Sequence, residues 1–176
     1  MRLCYNTHTM KLDEKKKARE KMILNHVYQD HDYTIVPSER PDFILQAKVG
    51  GEPFGVEITE LYLSEAHAKA VNLQMTNGPI SVPRYESYKA KILEVIADKN
   101  QKSMEYRKDV SYLELIIDDR EKRFTNDSED FLRLLQESEH LQQVIKQSNF
   151  KRIYVLSKYQ NAPIVLALEA NNEVEV

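Results

Sequence analysis

The sequence predicts an α/β fold, a mixed β-sheet flanked by helices, and three observations predict it. Val49-Gly50-Gly51-Glu52 places two glycines between apolar runs, the mark of an antiparallel hairpin. Tyr112–Asp118 reads as a buried strand by its Leu-Ile-Ile content. Segments of helical period, 84–103 and 127–147, stand on either side of that run, so helices cover the sheet.

The elements follow in order. Residues 12–30 read as a helix with Ile23, Leu24 and Val27 as its apolar stripe. Tyr33–Val36 is a short strand stopped by Pro37. The hairpin strands lie near 42–48 and 53–61. Residues 64–75 form a second helix, capped by Ser64 and ended by Asn77-Gly78-Pro79. Tyr85, Tyr88, Ile92, Val95 and Ile96 share one face of the helix over 84–103. The helix over 127–147 starts near Asn126 or Asp127 and carries Phe131, Leu135 and Ile145. Ile153–Leu156 and Ile164–Leu168 are the last strands.

A length of 176 residues, with no repeat and no linker, suggests one domain over 1–176 with its core at about 12–160. No apolar run reaches transmembrane length, and the first residues lack the apolar stretch of a signal peptide. A cytoplasmic location with no membrane partner is the expectation. The single cysteine, Cys4, excludes an internal disulfide and a Cys-rich zinc site. His26 and His31 are poorly spaced for one helix face, His67 stands alone, and no phosphate-binding or dinucleotide glycine loop occurs. A net charge of −3 gives no general attraction for nucleic acid, but basic residues concentrate in 11–21 and 84–108. One basic side could therefore face phosphates.

The chemistry concentrates around the hairpin. Folding about Gly50 and Gly51 brings Asp42, at the start of the first strand, beside Glu57, on the second. Paired carboxylates on rigid strands suit a divalent cation or acid–base work. Alternation places Glu57 and Thr59 on one strand face and Ile58 on the other. Glu20 precedes Ile23, Leu24 and Val27 by three, four and seven residues, which puts it inside the apolar stripe of the first helix. A carboxylate there needs a partner. The alternative is a solvated Glu20 paired with Lys16 or Lys17.

Pro41-Asp42, the hairpin, and Glu57-Ile58-Thr59 together resemble the signature of the PD-(D/E)xK nuclease superfamily, with Thr59 in the place of the lysine. The order helix, three strands, helix, strand is similar to the αβββαβ core of its restriction-endonuclease-like fold. The resemblance covers most of the chain in topology and about twenty residues in motif. It implies metal-dependent hydrolysis of a phosphodiester, DNA rather than RNA, with Asp42, Glu57 and the helical Glu20 as ligands of Mg²⁺ or Mn²⁺. It also implies that the cation missing at Thr59 comes from a neighbouring helix. Lys89 borders the apolar face of the 84–103 helix near its start and Lys99 sits within that face near its end, and proximity to the end of the Glu57 strand favours Lys89. Tyr88 borders the same region, with core packing as its default. The second reading keeps the fold without catalysis, as a degenerate binding or scaffold module. Selective cutting of DNA would need a partner protein or a homodimer.

Overall fold

Among the described residues six strands hydrogen-bond into one mixed sheet in chain order: β1 (Tyr33–Pro37), β2 (Phe43–Ala47), β3 (Phe54–Glu60), β4 (Leu113–Asp118), β5 (Phe150–Tyr159) and β6 (Ala162–Glu169). The computed structural model describes residues 6–62, 85–106, 109–120, 128–159 and 162–169. β1, β2 and β3 are antiparallel neighbours, β3, β4 and β5 are parallel, and β6 returns antiparallel to β5. Gly50 and Gly51 take φ of +89° and +116° in the β2–β3 turn, a region that favours glycine. The helix expected over 64–75 lies outside the described residues.

Four helices among the described residues flank the sheet: α1 (Asn6–Leu24), α2 (Tyr85–Ser103), α3 (Ser128–Gln136) and α4 (Glu139–Gln147). On one face, Ile23, Leu24 and Tyr28 pack with Phe43, Leu45, Phe54, Val56 and Ile58. On the other, Tyr88, Ile92 and Ile96 of α2, Leu135 of α3 and Leu141 of α4 cover Leu113, Leu115 and Ile117. All six residues of β4 are buried, Glu114 and Asp118 with the Leu115-Ile116-Ile117 run.

Several boundaries differ from the sequence reading. The first helix runs from Asn6 to Leu24 rather than over 12–30. His26 N–H and Val27 N–H bond to the carbonyls of Ile23 and Leu24 at 3.1 and 2.9 Å, an i→i−3 tightening that turns the chain. Tyr28 rather than Val27 then fills the end of the core. The helix expected over 127–147 is two helices, because Ser138 caps a new start and accepts from Leu141 N–H at 3.4 Å. β5 extends beyond 153–156 because β6 pairs with it from Arg152↔Glu169 to Tyr159↔Ala162.

Candidate functional site

The β2–β3 ladder pairs Phe43 with Val56 and Ile44 with Gly55. The next step of that register sets Asp42 opposite Glu57. Gly55 has a steric reason: a Cβ there would lie 2.5 Å from Pro41 Cγ and 2.7 Å from Leu113 Cδ2. Its absence lets Pro41 lie against β3 and brings Asp42 in close. Val56 and Ile58 pack on the α1 side of the sheet, so Glu57 between them points to the α2 side.

Asp42 Oδ2 accepts from Ile58 N–H at 2.9 Å. Burial and then the charge of Glu57 raise its carboxyl above the ordinary range, more than Ile58, Lys17 and Lys99 lower it. Glu57 Oε1 accepts from Lys99 Nζ at 2.6 Å. Tyr106, buried in the same region, has its phenol pushed up by burial and then by the Glu57 charge.

Glu20 is buried on α1, as the stripe predicts, and it is also paired with both lysines of the alternative reading. Lys16 Nζ lies 3.4 Å from Oε1 and Lys17 Nζ 3.1 Å from Oε2. The Glu20 charge, ahead of the opposing cost of burial, raises the Lys16 ammonium pKa. Lys17 also lies 3.5 Å from Asp42 Oδ1 and donates to the carbonyl of Ser38 at 2.8 Å.

A pocket of about 290 Å³ opens on these groups. Glu20, Asp42, Glu57 and Lys99 line it, with Lys16, Arg19 and Glu60 at its sides. Arg19 reaches Glu60 Oε2 at 2.8 Å, and Tyr62 donates to the same oxygen at 2.7 Å. Thr59, standing where the resemblance expects lysine, also lines it and brings no positive charge.

Lys89, the helical cation that proximity favoured, is not in this pocket. Its ammonium pairs with Glu86 at 3.0 Å and lies 5.3 Å from the centre of the Tyr85 ring. The direction of α2 is the reason. Its first turns sit at the end of β4, where Tyr88 donates to Asp119 Oδ2 at 2.6 Å. Its last turn sits before β5, where Asn149 Nδ2 donates to Ser103 Oγ at 2.9 Å. Glu57, in the middle of β3, is therefore reached from the later turns, by Lys99. Tyr88 packs in the core, as its default reading held.

The other buried carboxylates among the described residues are satisfied. Glu114 is held by Tyr28 and by Arg152, Asp118 by Arg120 at 2.7 Å, and Asp119 by Tyr88 and Ser157. Among the described residues, the buried carboxylate oxygens without an aligned hydrogen-bond donor are Glu20 Oε2 and Glu57 Oε2. No three His, Cys, Asp or Glu side chains among the described residues stand grouped as a ready metal cage. Lys17 instead joins Glu20 to Asp42, and Lys99 neutralises Glu57. The donor chemistry nonetheless fits a hard divalent cation: oxygen ligands, two unsatisfied acceptors, and an Asp42 carboxyl raised in part by Glu57.

Comparison with models of protein families, with curated proteins and with solved structures returned no match. No helix among the described residues is long and apolar enough to cross a membrane.

Proposed function

We propose that the chain is a metal-dependent phosphodiester hydrolase acting on nucleic acid, DNA in preference to RNA, of the PD-(D/E)xK kind. One observation carries this reading: Asp42 and Glu57 stand side by side, buried, with the Lys99 ammonium on Glu57 at 2.6 Å. Asp42, Glu57 and Glu20 would hold Mg²⁺ or Mn²⁺. Such an ion supplies Lewis acidity toward a phosphate oxygen and lowers the pKa of bound water.

The remaining roles belong to side chains. Lys99 supplies from a helix the charge that Thr59 lacks. An ammonium beside Glu57 orients an attacking water and offsets the charge that builds on the phosphorus-centred transition state. Ile58 N–H holds Asp42 by one oxygen and leaves the other to the Lys17 ammonium. Lys16 and Arg19 at the pocket sides suit the flanking phosphates of a strand. The DNA preference rests on the family resemblance alone.

The test begins with calorimetric titration of Mn²⁺ into the wild type and into Asp42→Ala and Glu57→Ala. Heat that both substitutions abolish supports the site. Nuclease assays with Lys99→Ala then follow, with Lys89→Ala as the control that retains activity. A folded wild type that binds no Mn²⁺, alone or with DNA, rejects the proposal.

One observation favours a second reading, a nuclease-like fold serving as a binding or scaffold module. Each of the three carboxylates already carries an ammonium partner: Lys16 and Lys17 for Glu20, Lys17 for Asp42, Lys99 for Glu57. A pocket neutralised in this way persists without chemistry. Nucleic-acid binding without Mn²⁺ heat and without cleavage selects it.

A further inference from the structure

The contacts of one ammonium reach beyond the three predicted ligands. Lys17 Nζ is surrounded by oxygens from three segments: the Ser38 carbonyl at 2.8 Å, Glu20 Oε2 at 3.1 Å and Asp42 Oδ1 at 3.5 Å. Ser38 lies between β1 and β2, Glu20 on α1, and Asp42 just before β2. Nearby, the Phe43 ring offers its face to the same ammonium at 5.6 Å. Two carboxylates and a backbone carbonyl are the donor types that hard divalent cations take.

Lys16 lies on the other oxygen of Glu20, 3.4 Å from Oε1, and leaves Oε2 to Lys17. Glu20 Oε2 lacks an aligned hydrogen-bond donor, so its contact with Lys17 is Coulombic. Asp42 uses its other oxygen for Ile58 N–H. The Lys17 side chain is 36% exposed, which leaves its four-carbon stem room to swing into water. Glu20 and Asp42 are each 9% exposed and stay where the core holds them. The cation is therefore the mobile partner, and the oxygens are the fixed ones.

We propose that Lys17 is a built-in counter-cation seated among Glu20, Asp42 and the Ser38 carbonyl, and that a divalent cation enters this seat by displacing its ammonium. The inference rests on the metal-site reading and adds two things to it: a backbone ligand at Ser38 and a competitor in cis. Lys17 keeps the two carboxylates compatible with each other. It also sets a threshold, because an arriving ion must outcompete an attached charge whose local concentration never falls. Lys99, on Glu57, remains in place during the exchange.

The experiment has two arms on the full chain. The first is a thermal-melt cycle in EDTA of wild type, Lys17→Gln, Glu20→Gln and the double variant. Coupling is expected: each single substitution lowers Tm, and the double variant loses less than their sum. An additive cycle overturns the inference whatever the metal does. The second arm titrates Mn²⁺ into wild type, Lys17→Gln and Asp42→Asn. Lys17→Gln is expected to bind about ten-fold or more tightly than wild type, since a unit charge has left the seat. Asp42→Asn is expected to lose the heat. Equal affinity in wild type and Lys17→Gln overturns the exchange while the metal reading stands. No heat in either, beside a coupled melt cycle, overturns the metal reading and the exchange together and leaves Lys17 a permanent counter-ion.

Discussion

Asp42 and Glu57 stand opposite each other at the end of the β2–β3 ladder, yet each is held by a different neighbour. Asp42 is fixed by the backbone N–H of Ile58 at 2.9 Å, and Glu57 by the α2 ammonium of Lys99 at 2.6 Å. One anchor belongs to the hairpin itself. The other arrives from a helix more than forty residues away in the chain. The pocket exists only where the two meet, and its stability depends on both.

Removing Lys99 leaves Glu57 buried beside Asp42 with no cation. Lys99→Met is expected to destabilise the fold by about 3 kcal/mol, the low end for a broken buried pair, since the lysine keeps some exposure. The loss reads as a fall in urea midpoint at constant m-value. Lys99→Met/Glu57→Gln should recover part of it. Lys89→Ala should cost less than about 0.5 kcal/mol, because its partner Glu86 is largely solvated.

Gly55 sets how closely Pro41 can approach β3. Its replacement by alanine puts a methyl 2.5 Å from Pro41 Cγ and 2.7 Å from Leu113 Cδ2, so one of them must move. Overpacking of this kind costs about 1–3 kcal/mol. Moving Pro41 also moves Asp42, so Mn²⁺ affinity should fall together with the melting temperature. A Gly55→Ala protein with wild-type values of both would show that the contact has no bearing on the site.

Asp119 gives the fold a pH dependence separate from the pocket. Burial pushes its carboxyl from 3.8 up to about 6, against the pull of hydrogen bonds from Tyr88 and Ser157. The folded state thus holds this proton more tightly than the unfolded state. Stability from this group is greatest below about pH 4, falls as pH rises through about 6, and is lowest above that, a span of about 3 kcal/mol. Urea midpoints of wild type and Asp119→Asn across pH 4–8 read the effect as their difference. Wild type should lose ground to the variant as pH rises, and a constant difference would contradict the assignment.

Ser138 starts a helix that periodicity alone joined to the one before it. Ser138→Ala removes the side-chain acceptor for Leu141 N–H and should cost about 1 kcal/mol. Ser138→Asp, which keeps an acceptor and suits the positive end of the helix dipole, should restore it. Chemical denaturation of the three proteins compares them directly.

Much of this molecule was legible in its residues because the signals were local. The paired glycines set the β2–β3 turn, and the alternation of β3 set which way Glu57 points. The offsets of Glu20 from Ile23 and Leu24 placed a carboxylate in a buried stripe, and it is buried. The Leu-Ile-Ile run of β4 announced a buried strand, and every residue of β4 is buried. Misplaced boundaries fell where periodicity cannot see hydrogen bonding, at the tightened turn after Leu24 and at the cap on Ser138.

By itself, then, the sequence determined the α/β class, the hairpin and the carboxylates that it and the first helix would bring into the interior. Periodicity and turn chemistry act over a few residues, and those features are built within a few residues. Tertiary structure alone decided which lysine serves Glu57, that Lys17 sits among Glu20, Asp42 and the Ser38 carbonyl, and that Gly55 yields its volume to Pro41. These pairings join distant segments, and the direction in which α2 and α1 cross the sheet selects them. That direction comes from packing the apolar faces of the helices against the sheet, which no local spacing encodes.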